Sequence, residues 1–214
     1  MTQAPRLPGE SAAEVFDEVG ARYEEVFADV PGQLAALDWL TGRLAPGAGV
    51  LDVGSGTGRP TAEALVRAGF DVTGIDVSAE MVRLARERVP DARFEQADVR
   101  TYRAPDGGFD AVCAFFPLLM MDQPEVARSL SRIASWVAPG GAFVMATVPG
   151  DISGLEFVWM GHQITVSSLA DEDQLRLLEE AGLEVVHHHT ALYHPRGQDA
   201  EPEQHLYVHA VRPS

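Results

Sequence analysis

The stretch VLDVGSGTG, residues 50–58, decides the fold class of this chain. Its first four residues combine three branched apolar side chains with one acid, which is typical of a buried β-strand. Glycine then occupies every second position from 54 to 58, and this spacing predicts a tight turn directly after the strand. Because glycine has no Cβ atom, such a turn lets the backbone approach a ligand closely, so the stretch predicts a ligand-binding loop.

The spacing of this loop excludes two phosphate-binding motifs. A P-loop requires Lys followed by Ser or Thr after its last glycine, whereas Gly58 is followed by Arg59 and Pro60. The dinucleotide pattern G-x-G-x-x-G fails as well, because Arg59 stands where the third glycine belongs. The loop is therefore predicted to hold a ligand without gripping a diphosphate.

The composition favours a single α/β domain that works without nucleic acid or membrane. The chain has 214 residues, 46% of them hydrophobic, which is enough for one domain with a full core. Its 32 acidic residues outnumber 16 basic ones, all arginine, so a net charge of −16 repels a polyphosphate. Neither a bilayer-spanning apolar run nor a secretion signal is recognisable, and we expect a cytoplasmic protein, a monomer or a homodimer.

Periodicity along the chain predicts helices that alternate with strands. Two amino-terminal helices are predicted at 11–28 and 31–44, the first opened by a capping box between Ser11 and Glu14. Strands at 50–53, 71–75, 92–96, 109–115 and 142–148 alternate with helices at 59–69, 78–88 and 122–137. This βαβ series demands a parallel sheet with helices on both faces.

The carboxyl-terminal part departs from that alternation. A short strand at 163–167 and a helix that ends at Gly182 are followed by strands at 183–190 and 205–211. Since no helix is predicted between these last two strands, they should form a hairpin. The parallel sheet is then expected to end in an antiparallel strand.

Five segments together resemble the motif series of the class I S-adenosylmethionine-dependent methyltransferases of the small-molecule type. They are VLDVGSGTG (50–58), VTGIDVS (72–78), EQADV (95–99), FDAV (109–112) and WVAPGG (136–141), and the resemblance covers about residues 11–212. It implies a doubly wound, Rossmann-like α/β sheet of seven strands in the order 3-2-1-4-5-7-6, with strand seven antiparallel and helices on both faces. It also implies one domain over 1–214, divided into a helical lid (1–45), a cofactor-binding core (46–150) and an acceptor-side cover (151–214).

The resemblance implies S-adenosyl-L-methionine as the cofactor, whose lack of phosphates suits a glycine loop without lysine. Asp52 is expected to accept from the methionine ammonium, and Asp76 from the ribose hydroxyls. Asp98 and Val99 are expected to bind adenine with Met81 over the ring; the alternatives are a helix cap for Asp98 and a core position for Met81. The predicted cofactor-binding set is Tyr23, Asp52, Gly54, Ser55, Gly56, Gly58, Asp76, Val77, Met81, Asp98, Val99 and Phe115.

The segment after the fourth core strand, FFPLLMM (115–121), indicates the kind of acceptor. Similar enzymes that methylate amines of nucleic-acid bases or protein amides carry a polar residue and Pro-Pro there, and metal-dependent catechol methyltransferases carry carboxylates. This chain has neither, so we expect a small, largely hydrophobic acceptor methylated at O or N, and no metal. Phe115, Phe116, Met120 and Met121 are predicted pocket walls, with plain core packing as the alternative.

Histidines are the available bases near neutral pH. His162 and His205 are predicted catalytic residues because their segments cover the acceptor in similar enzymes, and Tyr193 and His194 are weaker candidates. The run 187–189 alternates between two faces of a strand, so we interpret it as a solvated edge and not as a metal site. If the acceptor arrives already ionised, alignment alone suffices and no base is needed.

Two further questions concern the amino-terminal helix and the activity itself. In similar enzymes a segment like FDEVGARY (16–23) forms a lid with Tyr23 near the methionine, and the alternative is an ordinary packed helix. Two other functions remain open beside methyl transfer. One is a protein of this fold that binds S-adenosylmethionine without transferring its methyl group; the other is a nicotinamide-dependent oxidoreductase, which Arg59 and the terminal hairpin disfavour.

Overall fold

The computed structural model describes residues 10–27, 30–196 and 202–214. Its strands are β1 (Gly49–Val53), β2 (Asp71–Asp76), β3 (Arg93–Gln96), β4 (Phe109–Phe115), β5 (Val137–Thr147), β6 (Ile152–Trp159), β7 (His162–Ser168), β8 (Glu184–Tyr193) and β9 (Glu203–Val211). The helices are α1 (Ala12–Val19), α2 (Arg22–Phe27), α3 (Pro31–Thr41), α4 (Thr61–Arg67), α5 (Ala79–Arg88), α6 (Gln123–Ser135) and α7 (Asp171–Glu180).

The main sheet has seven strands in the order β3-β2-β1-β4-β5-β9-β8. The first five strands of the chain pair in parallel, and β9 runs antiparallel between β5 and β8. With β8 and β9 counted as the sixth and seventh strands of this sheet, the predicted strand order and antiparallel strand are confirmed.

Two apolar layers cover the sheet, one on each face. Val50 belongs to a cluster with residues of α3, α4 and α5, whereas its neighbour Leu51 packs with residues of α6 and α7. Consecutive strand residues point to opposite faces, so each strand contributes to both clusters. The predicted doubly wound architecture is therefore confirmed.

The predicted first helix is wrong as a single element. Its capping box is present, with the backbone N–H of Glu14 donating to Ser11 Oγ at 3.3 Å and the N–H of Ser11 donating to Glu14 Oε2 at 2.9 Å. The helix ends at Val19 because Gly20 takes a positive φ of 50°, and α2 begins two residues later. The predicted end at Ala28 lies outside the described residues.

A second difference is the hairpin of β6 and β7, which forms a separate two-stranded sheet. The sequence predicted only a short strand at 163–167, whereas β7 spans 162–168 and pairs with β6 in antiparallel register. Most residues of β6 are exposed, so the strand lacks the alternating burial that marks a sheet packed on a core. The conformation of β6 is determined by its pairing with β7 and by its position over the cavity.

The histidine run lies on β8, the edge strand of the sheet, as the predicted solvated edge requires. His187 and His188 are exposed, and His189 is half-buried. The ring of His187 lies 5.2–5.3 Å from the rings of His189 and of buried His209 in β9. Trp39 of α3 covers His209 at 4.7 Å. Burial, with smaller contributions from His187 and His189, lowers the pKa of His209 to about 4, so this ring is neutral at pH 7.

Candidate active site

A cavity of about 500 Å³ lies at the carboxyl end of β1 and β4, where ligands bind in open parallel sheets. The glycine loop forms one side, and α1, α2, the segment after β4, the β6–β7 hairpin and the start of β9 form the others. The predicted site residues that line it are Tyr23, Asp52, Gly54, Ser55, Gly56, Phe115 and His205.

Asp52 is the most unusual acid of this cavity. Its side chain is buried at the end of β1, and Oδ2 has no hydrogen-bond partner among the described residues. Burial, together with the nearby charge of Asp76, raises the pKa of Asp52 to about 7. Ser55 Oγ, in the same loop, is also buried and unpartnered in the described structure. A buried acceptor of this kind fits a ligand ammonium, which supplies the missing hydrogen bond and charge.

Glycine is required at the three positions of the loop for different physical reasons. The sequence analysis predicted one reason, close approach to a ligand, for all three. A Cβ on Gly54 would lie 2.6 Å from Cβ of Pro117, and one on Gly58 would lie 3.0 Å from Val89 Cγ2. Gly56 has open space around the Cβ position at φ 51°. A close approach to a ligand thus stays a prediction for Gly56, while Gly58 is needed for packing and does not line the cavity.

Asp76 ends β2 directly beside the glycine loop. Its Oδ2 accepts from the backbone N–H of Gly56 at 2.9 Å, and its Oδ1 accepts from the N–H of Ser78 at 2.9 Å. Burial raises the pKa of Asp76, and these two N–H groups partly oppose that shift. The next residue, Val77, uses its carbonyl to accept from Gln96 Nε2 at 3.2 Å. The carboxylate is therefore fixed at the strand end but does not line the cavity, and its predicted contact with the ribose stays a prediction.

The predicted adenine residues are placed outside the cavity lining. Met81 and Val99 are buried, which agrees with the core alternative for Met81. The carboxylate of Asp98 binds the guanidinium of Arg100, with Nη2 and Oδ2 at 2.6 Å, and this hydrogen bond lowers the pKa of Asp98. Arg100 also pairs with Glu125 at 3.2 Å. Asp98 can bind an exocyclic amine only if this pair rearranges, so the adenine assignment stays a prediction.

Two acids that the sequence analysis missed attach the amino-terminal helices to the cofactor side. Asp17 Oδ1 accepts from the hydroxyl of Ser78 at 2.6 Å and from the backbone N–H of Glu80 at 3.0 Å, at the start of α5. Glu24 accepts from the hydroxyl of Thr57 in the glycine loop and pairs with Arg88. Such long-range partners leave no sequence signal.

Tyr23 is the centre of an aromatic cluster above the glycine loop. Its ring stacks on the ring of Phe27 at 5.0 Å. The ring of Phe16 lies about 6 Å from that of Tyr23, and the ring of Trp159 lies about 6 Å from that of Phe27. Burial, and then the charge of Glu203, raise the pKa of the Tyr23 phenol above its ordinary value, so this hydroxyl is neutral at pH 7. These contacts join the amino-terminal helices to the β6–β7 hairpin.

The two predicted catalytic histidines differ in their position relative to the cavity. His162 starts β7 with Nδ1 2.9 Å from Glu10 Oε2, and it does not line the cavity. His205 lines the cavity with Nε2 2.9 Å from Glu203 Oε1 and Nδ1 3.1 Å from the hydroxyl of Tyr207. Glu203 and Tyr207 were missed, although the spacing E-x-H-x-Y in a strand places all three on one face.

The two weaker candidates, at the end of β8 and directly after it, also differ in burial. The ring of buried Tyr193 stacks on His205 at 4.9 Å, whereas His194 is exposed. Among the predicted pocket walls, Phe115, Phe116 and Met120 line the cavity. Met121 does not; it packs in the apolar layer of α6, and its predicted role as a wall is corrected accordingly.

The outer rim of the cavity is apolar. Leu34 of α3 and both Leu155 and Phe157 of β6 line the cavity while about 40–50% of each residue is exposed. Across the described ranges, no group of His, Cys, Asp and Glu side chains is arranged to hold a metal ion. None of the helices described is long and apolar enough to cross a membrane.

Comparisons with known proteins agree with this sheet order and with the glycine loop. Residues 50–141 match the methyltransferase domain family. A demethylmenaquinone methyltransferase of Renibacterium salmoninarum is 34% identical over 147 residues, which cover 66% of this chain and 60% of that enzyme. The chain thus spans less than two thirds of this relative. The match over residues 50–141 and this relative agree with the predicted resemblance to the class I S-adenosylmethionine-dependent methyltransferases.

Solved structures show the same fold at low sequence identity. One is the 1,6-didemethyltoxoflavin-N1-methyltransferase of Burkholderia thailandensis with 1,6-didemethyltoxoflavin and S-adenosylhomocysteine; the TM-score is 0.67 at 21% identity, over 100% of this chain and 94% of that one. Another is the (4+2)-cyclase SpnF, with a TM-score of 0.69 at 19% identity over 98% of both chains. Proteins named for methyl transfer and for a cyclisation therefore share this architecture.

Proposed function

We propose that the protein transfers the methyl group of S-adenosylmethionine to an O or N atom of a small, largely hydrophobic acceptor. One observation carries this proposal. The cavity joins a glycine loop with unpartnered, buried Asp52 Oδ2 to a wall of apolar side chains on the opposite side. A charged, hydrogen-bonding group and an apolar group can therefore bind in a single cavity.

The cofactor side fits S-adenosylmethionine. Asp52 would accept from its ammonium, Gly56 would let the chain pass close to it, and Asp76 would accept from the ribose hydroxyls. The bound cofactor supplies a methyl group on a positive sulfur, which is already an activated leaving group. The protein then has to align the acceptor and exclude water.

The acceptor side supports a small apolar compound. Phe115, Phe116 and Met120 lie on one wall, and Trp159 of the hairpin and Phe27 of α2 line the same cavity. The name of the Renibacterium relative, a demethylmenaquinone methyltransferase, agrees with an apolar ring as acceptor. The cytoplasmic location and the monomeric or dimeric state stay predictions.

The test combines binding with turnover. We expect S-adenosylhomocysteine to bind with micromolar affinity in calorimetry. When an acceptor is added, we expect the protein to convert S-adenosylmethionine to S-adenosylhomocysteine and to release it. The probes are 1-naphthol, 1,4-naphthohydroquinone, 4-hydroxybenzoate and 1-naphthylamine, and samples without acceptor measure background hydrolysis. Binding without release for any probe would favour the alternative, a protein that holds the cofactor without methyl transfer, as the cyclase fold match allows.

A further inference from the structure

We propose that Glu203, held by His205 and Tyr207, is the catalytic residue that takes the proton from a hydroxyl group of the acceptor. The inference rests on the proposed methyl transfer and narrows its acceptor class to hydroxyl compounds, phenols above all. It reassigns the role that the sequence analysis gave to His205, which becomes a positioning residue.

The hydrogen bonds define the direction of this chain of three residues. A carboxylate only accepts, so the Nε2–H of His205 donates to Glu203 Oε1 at 2.9 Å. In the neutral ring Nδ1 is then the acceptor, and the hydroxyl of Tyr207 donates to it at 3.1 Å. Both ring nitrogens of His205 are engaged. His205 therefore has no nitrogen left for an acceptor molecule, whereas only one oxygen of Glu203 is used by His205.

Burial places Glu203 on the outer side of His205. The His205 side chain is 2% exposed and that of Glu203 is 33% exposed, and both residues line the cavity. The rings of Phe116 and Tyr193 lie 4.5 and 4.9 Å from the imidazole and hold it in place. Of the two polar groups, the carboxylate is the one that an acceptor in the cavity can touch.

Glu203 differs in its charge environment from two other acids of the cavity, Glu24 and Glu63. Glu24 pairs with Arg88, and Glu63 pairs with Arg59. Glu203 has no arginine partner in the described part of the chain. Its carboxylate is open to a hydrogen-bond donor.

The groups that face Glu203 are phenols and one imidazole. Tyr23 comes from α2, Tyr193 from β8, and His205 and Tyr207 from its own strand. The negative charge of Glu203 contributes to the raised pKa of both Tyr23 and Tyr207, so these phenols are neutral at pH 7. The carboxylate is thus the hydrogen-bond acceptor that this cluster offers to a hydroxyl group.

The proposed step balances in atoms and charge. The acceptor oxygen forms a bond to the methyl carbon, the bond from that carbon to sulfur breaks with its electron pair on sulfur, and the hydroxyl proton moves to Glu203. The positive sulfonium becomes a neutral thioether, and the negative carboxylate becomes a neutral acid. Because separated charges are unfavourable in an apolar cavity, a step that removes one of each sign is favoured there.

Single-turnover rates with 1-naphthol and 1,4-naphthohydroquinone test this role. We expect Glu203→Gln to lower the rate by about 100-fold or more, with S-adenosylhomocysteine affinity unchanged. His205→Gln should lose only about tenfold, because a glutamine amide can still donate to Glu203. Formate should partly restore the rate of Glu203→Ala, which a merely structural defect would not allow.

The matched control is Glu184→Gln. Glu184 is exposed and lies at the opposite end of β8, so the rate of this variant should equal that of the wild type. The inference is overturned if His205→Gln lowers the rate more than Glu203→Gln does, or if Glu203→Gln stays within about threefold of the wild type. Release of S-adenosylhomocysteine with 1-naphthylamine alone would overturn this inference and leave the proposed methyl transfer standing. No release with any probe would overturn both.

A second measurement needs no acceptor. In the S-adenosylhomocysteine complex of the ¹⁵N-histidine-labelled protein, we expect a slowly exchanging proton on Nε2 of His205, assigned by its loss in His205→Gln. In Glu203→Ala this resonance should lose its downfield shift. A proton on Nδ1 in place of Nε2 would contradict the hydrogen-bond direction on which the inference depends.

Discussion

The two sides of the cavity are built in different ways. The cofactor side consists of strand ends and the turns that follow them, and its polar contacts, such as Gly56 to Asp76, lie within the parallel sheet. The acceptor side combines four segments that are far apart in sequence, around Tyr23, Phe116, Trp159 and Glu203, and aromatic contacts hold them together. If the proposed function holds, the sheet fixes the cofactor, whereas the cover determines which acceptor is bound.

The strongest test of this division removes part of the cover. Deletion of residues 1–28 should abolish turnover, because Tyr23 and the first contacts above the glycine loop are lost and water enters the cavity. The domain should stay folded, since the buried residues of the two layers on the sheet begin at Val30. Circular dichroism and the release assay measure both effects. An unfolded product would show that α1 and α2 belong to the core.

The cofactor side should respond to pH through Asp52. Its pKa of about 7 means that the carboxylate becomes protonated below neutral pH, and a protonated acid no longer attracts an ammonium. Affinity for S-adenosylhomocysteine should therefore fall by up to about tenfold per pH unit below pH 7 and level off above it.

Calorimetry between pH 5.5 and 8.5 measures this dependence. Asp52→Asn has nearly the same size and does not titrate, so its weaker binding should be flat over this range. A wild-type affinity that is constant down to pH 5.5 would argue against contact between Asp52 and the ammonium.

Substitutions of two glycines in the loop, Gly56 and Gly58, distinguish a glycine needed for the approach of a ligand from one needed for packing. Both have positive φ, so Ala at either position costs about 1–2 kcal/mol of backbone strain. Gly58→Ala should cost about 1–3 kcal/mol more in the free energy of unfolding, because its Cβ meets Val89 and Phe94. Gly56→Ala should instead show the larger loss of S-adenosylhomocysteine affinity. Chemical denaturation and calorimetry compare them, and the reverse ranking would contradict the structural assignment.

The fold and the cofactor side follow largely from the sequence. A strand, a glycine turn and a strand-end acid are local patterns, and the terminal hairpin could be predicted from two strands without a helix between them. The break at Gly20 was missed because the apolar stripe of the first helix continues across it. The strand β6 was missed because its residues are mostly exposed and carry no regular alternation.

The acceptor side could be predicted only in part. His205 was recognised by its residue type, but its hydrogen bonds to Glu203 and Tyr207 depend on the register of β9. His162 had the same residue type and a similar position relative to the cover, yet it pairs with Glu10 away from the cavity lining. Contacts between distant segments decide such roles, and one sequence does not reveal them.

The most direct test of the central claim is calorimetry of S-adenosylhomocysteine with the wild type and with Asp76→Ala. We predict micromolar binding to the wild type, no measurable binding of NAD, and a loss of about 1–3 kcal/mol in the variant, because the ribose hydroxyls lose a charged acceptor. Asp71→Ala, at the exposed start of the same strand, is the matched control and should bind like the wild type. Equal affinity of Asp76→Ala and the wild type, or tight binding of NAD, would contradict the account.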